Sequence, residues 1–154
     1  MGDGMEEGRL VMALIRAGVL LRVELDRLMD DDLGLTSVEL EVLRIIATEG
    51  GMSAAPLAWR LGVKRQSLQP VLEGLARNEL LDAERSTEDR RVIDYSLTRT
   101  GHSLGALGNN ALIELERKFL STFPRRPEGL ALLVEQGVRA AVQEEIRTVF
   151  FAMR

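Results

Sequence analysis

Lys64, Arg65, Gln66, Ser67 and Gln69 stand almost side by side, and each carries a group that matches a nucleic acid. Lysine and arginine can donate to guanine or phosphate. Glutamine can pair with adenine, and serine can bond to a base edge or a phosphate. The cluster does this chemistry only if one helix face presents it. Leu61, Val63, Leu68, Leu72 and Leu75 fall where a buried face needs them. The polar set is then expected to point outward near a helix N-terminus, where a recognition helix meets the major groove. A second group surrounds a polar turn: Arg85, then Asp89-Arg90-Arg91. These arginines suit phosphates or an adjacent minor groove, and Asp89 suits an ion pair with Arg91 or a nearby arginine that stabilises the wing tip. Each group alone also fits a bland reading, a solvated helix face for the first and an idle surface ion pair for the second.

The elements that must position these residues follow from periodicity and caps. Residues 8–29 read as an amphipathic helix through Leu10, Leu14, Ala17, Leu21, Leu25 and Leu28, broken by Asp30-Asp31-Asp32-Leu33-Gly34. Thr36-Ser37-Val38-Glu39 is a capping box. It opens a helix with Leu40, Leu43, Ile46 and Ala47 on one face, ending at Glu49-Gly50-Gly51. Ser53 is placed to cap a short helix, Ala54 to Leu61, and Gly62 to turn the chain into a second helix from about Lys64 to Arg77. Leu80 to Arg85 and Arg91 to Leu97 read as a hairpin with its tip at Ser86 to Arg90. Thr100-Gly101 opens a long helix through Leu104, Leu107, Ala111, Leu115 and Phe119. Pro124 to Pro127 interrupts, and a last helix is expected from about Glu128 to Met153.

Composition narrows the function. The 154 residues are 45% hydrophobic and 29% charged, as in ordinary globular proteins. There is no cysteine, so disulfides, thiolate metal sites and thiol nucleophiles are excluded. His102 is the only histidine and makes a poor metal site by itself. No phosphate loop, metal-ligand spacing or nucleophile with its base is present, so no catalytic residue, cofactor or metal is expected and the chain does not read as an enzyme. The longest apolar stretch, Leu10 to Leu25, is interrupted by Arg16, Arg22 and Glu24. The first residues are acidic and polar, so neither membrane attachment nor export is expected and the location is read as cytoplasmic. The net charge of −4 disfavours a nucleic-acid partner. Yet Arg60 to Arg77 holds four basic residues against Glu73 alone, so the charge is locally reversed.

The span Leu35 to Gly101 resembles the MarR (multiple antibiotic resistance regulator) family winged helix. The resemblance rests on four pieces in order: Leu35-Thr36-Ser37-Val38-Glu39-Leu40-Glu41-Val42-Leu43; Leu57-Ala58 with Leu61-Gly62-Val63; Asp89-Arg90-Arg91; and Leu97-Thr98-Arg99-Thr100-Gly101. It implies a dimer held by the terminal helices, a near-palindromic DNA operator, and release by a small ligand. Three residues depart from the pattern. Lys64 replaces the usual capping Ser or Thr, and Pro70 stands where Arg is common and is expected to bend the recognition helix or delay its start. Glu79 replaces a common Gly, so Asn78 is expected to take the left-handed position.

The resulting fold class is mainly α: a winged helix-turn-helix core with a short β-hairpin wing, flanked by N- and C-terminal dimerisation helices. Residues 1–34 form the N-terminal helix, 35–100 the DNA-binding domain and 101–154 the C-terminal helices. Leu10, Leu14, Leu21, Val138, Val142, Ile146 and Phe150 are the expected dimer contacts, and Phe119, Phe123 and Phe151 are expected to help fill that interface. A two-fold pair of reading helices about 34 Å apart matches one turn of DNA. The expected partners are double-stranded DNA, a second copy and a small apolar effector. The competing reading is a winged-helix module for protein contacts without specific DNA binding. Trp59 and Tyr95 read as core or wing packing.

Overall fold

Leu68, Leu72 and Leu75 recur at helical spacing, and their exposures of 1%, 0% and 0% put them at the centre of the core. The computed structural model describes residues 8–124 and 128–138. In chain order it contains α1 (Arg9–Leu33), α2 (Ser37–Glu49), β1 (Met52–Ser53), α3 (Ala54–Leu61), α4 (Arg65–Arg77), β2 (Leu81–Arg85), β3 (Ile93–Leu97) and α5 (Arg99–Leu120). Residues 130–138 are also helical. The three strands form one antiparallel sheet in the order β1-β3-β2. This is the expected mainly α architecture with a small wing.

Local chemistry explains most element ends. The capping box forms: Thr36 Oγ1 accepts from the Glu39 N–H at 3.3 Å, and Glu39 Oε2 accepts from the Thr36 N–H at 2.8 Å. Asp26 Oδ1 accepts from the Ser37 N–H at 2.5 Å, so α1 also closes the start of α2. The buried residues of α2 are Leu40, Val42, Leu43 and Ile46; Val42 is inside and Ala47 outside, contrary to the periodicity reading. α1 runs to Leu33 instead of breaking at Asp30, and ends at Gly34. Leu25 and Met29 are buried in the core and Leu33 packs against it, which outweighs the weak helix preference of three aspartates.

Three details differ from the sequence reading. Ser53 takes the N-cap position of α3, but its side chain makes no capping bond. It sits instead in β1, opposite Asp94, while Met52 faces Tyr95. A two-residue strand has no alternation to read. Second, Glu79, not Asn78, is left-handed, with φ 58°. The Leu80 N–H donates to the Leu75 carbonyl at 2.9 Å and the Glu79 N–H to the Ala76 carbonyl at 3.0 Å. That paired closure requires the left-handed residue one place after Asn78. Third, Val63 is exposed, and Leu61 only half-buried, although the apolar spacing puts both in the core face.

Thr98 stitches this turn to α5. Its Oγ1 donates to the Glu79 carbonyl at 2.7 Å and accepts from the Gly101 N–H at 2.9 Å, capping α5. Gly101 sits so close that a Cβ would lie 2.0 Å from the Leu80 carbonyl oxygen, so no side chain fits there.

Two compact units are present, Met1–Leu115 and Glu116–Arg154. Within the first, Leu104, Ala111, Leu112 and Leu115 of α5 pack against the core. Within the second, the Phe119 and Phe123 rings meet edge to face with centroids 5.2 Å apart. Of the expected dimer contacts, Leu10, Leu14, Leu21 and Val138 are exposed in the single chain. Val142, Ile146, Phe150 and Phe151 lie outside the described residues. Among the described residues no helix is long and apolar enough to cross a membrane.

Candidate nucleic-acid interface

The helix-turn-helix is made by α3, a glycine and α4. Gly62 adopts φ 65°, a left-handed turn that side chains resist, and the Val63 N–H returns to the Ala58 carbonyl at 3.0 Å. α4 then starts at Arg65 with Lys64 as its N-cap residue. Lys64 has no side-chain oxygen to offer, and its backbone carbonyl accepts from the Ser67 and Leu68 N–H groups at 3.0 and 3.2 Å. The N–H groups of Arg65 and Gln66 precede any intrahelical acceptor and carry the positive end of the helix dipole.

Because Leu68, Leu72 and Leu75 anchor one face, Lys64, Arg65, Gln66 and Ser67 are all exposed at the start of α4. No acidic side chain pairs with Lys64 or Arg65 among the described residues. Pro70 is exposed too, and α4 continues through it from Arg65 to Arg77 without interruption, neither starting late nor breaking. Gln69 departs from its expected outward direction. It is half-buried, and its Nε2 donates to Glu73 Oε1 at 3.0 Å and lies 3.4 Å from the Tyr95 hydroxyl.

The wing is pinned at both ends. Arg85 pairs with Ile93 as the last rung of the β2–β3 ladder, and the Ser86 N–H donates to the Val92 carbonyl at 2.9 Å. Asp89 shapes the tip by a different bond from the one expected: its Oδ1 accepts from the Arg91 backbone N–H at 2.9 Å, with no guanidinium pair among the described residues. Arg85 Nη1 donates to the Arg90 carbonyl at 3.2 Å, so Arg85 braces the tip. Arg90 and Arg91 remain exposed, without an acidic partner among the described residues.

Sequence reasoning missed one ion pair. Arg60 Nε donates to Glu49 Oε2 at 2.6 Å, joining the ends of α2 and α3. That hydrogen bond holds the Glu49 carboxyl below its ordinary range and raises Arg60. Nothing in an eleven-residue separation announces such a pair. Trp59, expected in the core or against the wing, is exposed, with the Arg60 guanidinium 5.9 Å from its ring centre. Tyr95 is buried as expected.

An apolar core carrying a glycine-turned helix pair and an arginine-tipped hairpin defines a winged helix-turn-helix protein. Residues 35–93, under half of the chain, match the family model for the MarR family. The chain is 34% identical over 68 residues to the HTH-type transcriptional repressor MdtR of Bacillus subtilis (strain 168). That similarity covers 44% of this chain and 44% of the relative, so it spans less than half of the relative's length. The transcriptional regulator BldR from Sulfolobus solfataricus shares the fold, with a TM-score of 0.77, 20% identity, and coverage of 94% of this chain and 99% of that one. BpsR of Bordetella bronchiseptica, whose DNA binding is regulated by 6-hydroxynicotinic acid, gives a TM-score of 0.71 at 20% identity, covering 92% and 96%.

Proposed function

We propose that the protein binds double-stranded DNA sequence-specifically as a homodimer on a near-palindromic operator, and so regulates transcription. One observation carries the reading: Lys64 and Arg65, with Gln66 and Ser67, stand exposed at the open start of α4, with no acidic partner among the described residues, within the stretch that matches the MarR family model. Lys64 and the first N–H groups of α4 suit a phosphate, and Arg65 and Gln66 suit base edges. Arg90 and Arg91 add a second cationic contact at the wing.

The homodimer is supported by the first half of α1, whose Leu10, Leu14 and Leu21 are exposed in the single chain along with Val11, Ile15 and Leu20. An apolar stripe of that length needs a partner surface. Val138 offers a further exposed apolar residue in the second unit. Control by a small-molecule effector is supported by BpsR, whose DNA binding is regulated by 6-hydroxynicotinic acid, although that ligand is a polar acid and not an apolar one. An effector acts only by binding one spacing of the two reading heads better than another. This role places the protein in the cytoplasm.

The test is selection of bound duplexes from a random pool, followed by titration of the selected duplex at several salt concentrations. An enriched inverted repeat is expected, with log affinity falling by roughly 0.9 per log unit of salt for each phosphate neutralised. A flat salt response with no enriched sequence points instead to a winged helix that docks on protein, the reading that the acidic net charge favours.

A further inference from the structure

Gln69 sits on the recognition helix, yet both of its amide hydrogens are occupied inside the protein. Nε2 is 3.0 Å from Glu73 Oε1 and 3.4 Å from the Tyr95 hydroxyl. A carboxylate accepts only, so the amide must turn its nitrogen to Glu73. Reading adenine requires a donor and an acceptor from the same amide. Gln69 supplies that donor only by releasing one of its two partners.

The far partner gives the arrangement its meaning. Tyr95 is 4% exposed and lies on β3, the central strand of the sheet. It stands opposite Met52 on β1 and Ala83 on β2. Two residues earlier β3 begins at Ile93, and the tip bearing Arg90 and Arg91 immediately precedes it. The Gln69–Tyr95 contact therefore joins the helix that carries Arg65 to the strand that carries the wing. Leucines hold α4 against the core but are indifferent to small rotations, whereas a hydrogen bond at the rim is directional.

We propose that Gln69 is a positioning residue that couples the recognition helix to the wing strand through Tyr95, and not a reader of bases. The inference rests on the DNA-binding reading above. Its consequence is that Arg65 and Arg90 engage one duplex in a fixed relation, with Glu73 orienting the amide.

The experiment measures affinity of the full chain for its selected duplex in four forms: wild type, Gln69→Ala, Tyr95→Phe and the double variant. Tyr95→Phe keeps the buried ring and removes only the hydroxyl. Each single variant is expected to lose roughly three- to ten-fold in affinity, the double variant no more than the weaker single one, with salt slope and base preference unchanged. Arg90→Ala is expected to cost less in the Gln69→Ala background than in wild type, a coupling that a merely structural residue does not produce. The proposal is overturned if Gln69→Ala relaxes discrimination at one base pair while Tyr95→Phe leaves affinity unchanged. It is also overturned if the Gln69 side-chain amide resonances do not shift in Tyr95→Phe without DNA. Absence of salt-dependent duplex binding by wild type is a separate result; it defeats the DNA-binding reading, whatever the amide resonances show.

Discussion

The two halves of α1 both carry leucine, valine and methionine, and these apolar residues meet opposite fates. Leu10 and Leu20 in the first half are 72% and 69% exposed, while Met29 in the second is 0% exposed. Asp26 marks the changeover, since its carboxylate is bonded to the start of α2. From there onward α1 is part of the winged-helix core. Before Leu25, no described residue of the single chain covers Leu10, Leu14 or Leu21. A continuous amphipathic pattern can thus serve two purposes, with tertiary contacts deciding where one ends and the other starts.

The comparison can be broken or sharpened at four points. The largest effect is expected on the buried side, from Gly101→Ala, whose new Cβ meets the Leu80 carbonyl oxygen. Denaturant unfolding is expected to show a loss of about 4 kcal/mol or failure to fold, because backbone must move to make room. Wild-type stability in this variant refutes the close packing of α5 on the turn after α4.

Next come paired substitutions within α1. Met29→Ala is expected to cost about 2–5 kcal/mol of folding stability, the usual loss for a buried long side chain. Leu20→Asp is expected to weaken self-association by at least about ten-fold, equivalent to roughly 1.4 kcal/mol, read by analytical ultracentrifugation. Its effect on the isolated fold is expected to stay within about 0.5 kcal/mol, as for other surface changes. Equal loss of folding stability in both variants, at a dilution where wild type is monomeric, abolishes the distinction between the two halves.

Arg65→Ala leaves both halves untouched and is expected to cost about 1–3 kcal/mol on the selected duplex, with relaxed preference at one position. Unchanged affinity in a fluorescence anisotropy titration removes Arg65 from the reading face. Glu79→Gly is the smallest change and runs the other way. It relieves a left-handed non-glycine residue and is expected to stabilise the fold by about 0.5–1 kcal/mol, seen as a raised thermal midpoint.

Much of this was legible in the sequence because it is local. The capping box, the glycine turn and the spacing of Leu68, Leu72 and Leu75 each depend on neighbours within a few residues, and each appears as expected. The exposed quartet Lys64 to Ser67 follows from that leucine spacing. What escaped depends on distant partners. Gln69 looks like a reader until Tyr95, twenty-six residues on, takes its amide. β1 exists only because β3 lies beside it. The left-handed residue after α4 is set by where the Leu80 N–H finds the Leu75 carbonyl, and this register overrides the usual preference for asparagine over glutamate.

The Thr98 hydroxyl holds the Glu79 carbonyl and caps α5 through Gly101, so two helix ends share one oxygen atom. A twist applied along α5 cannot be absorbed by slack at its root, because the same atom anchors the exit from α4. Displacement of that root therefore pulls on the exit from α4 as well.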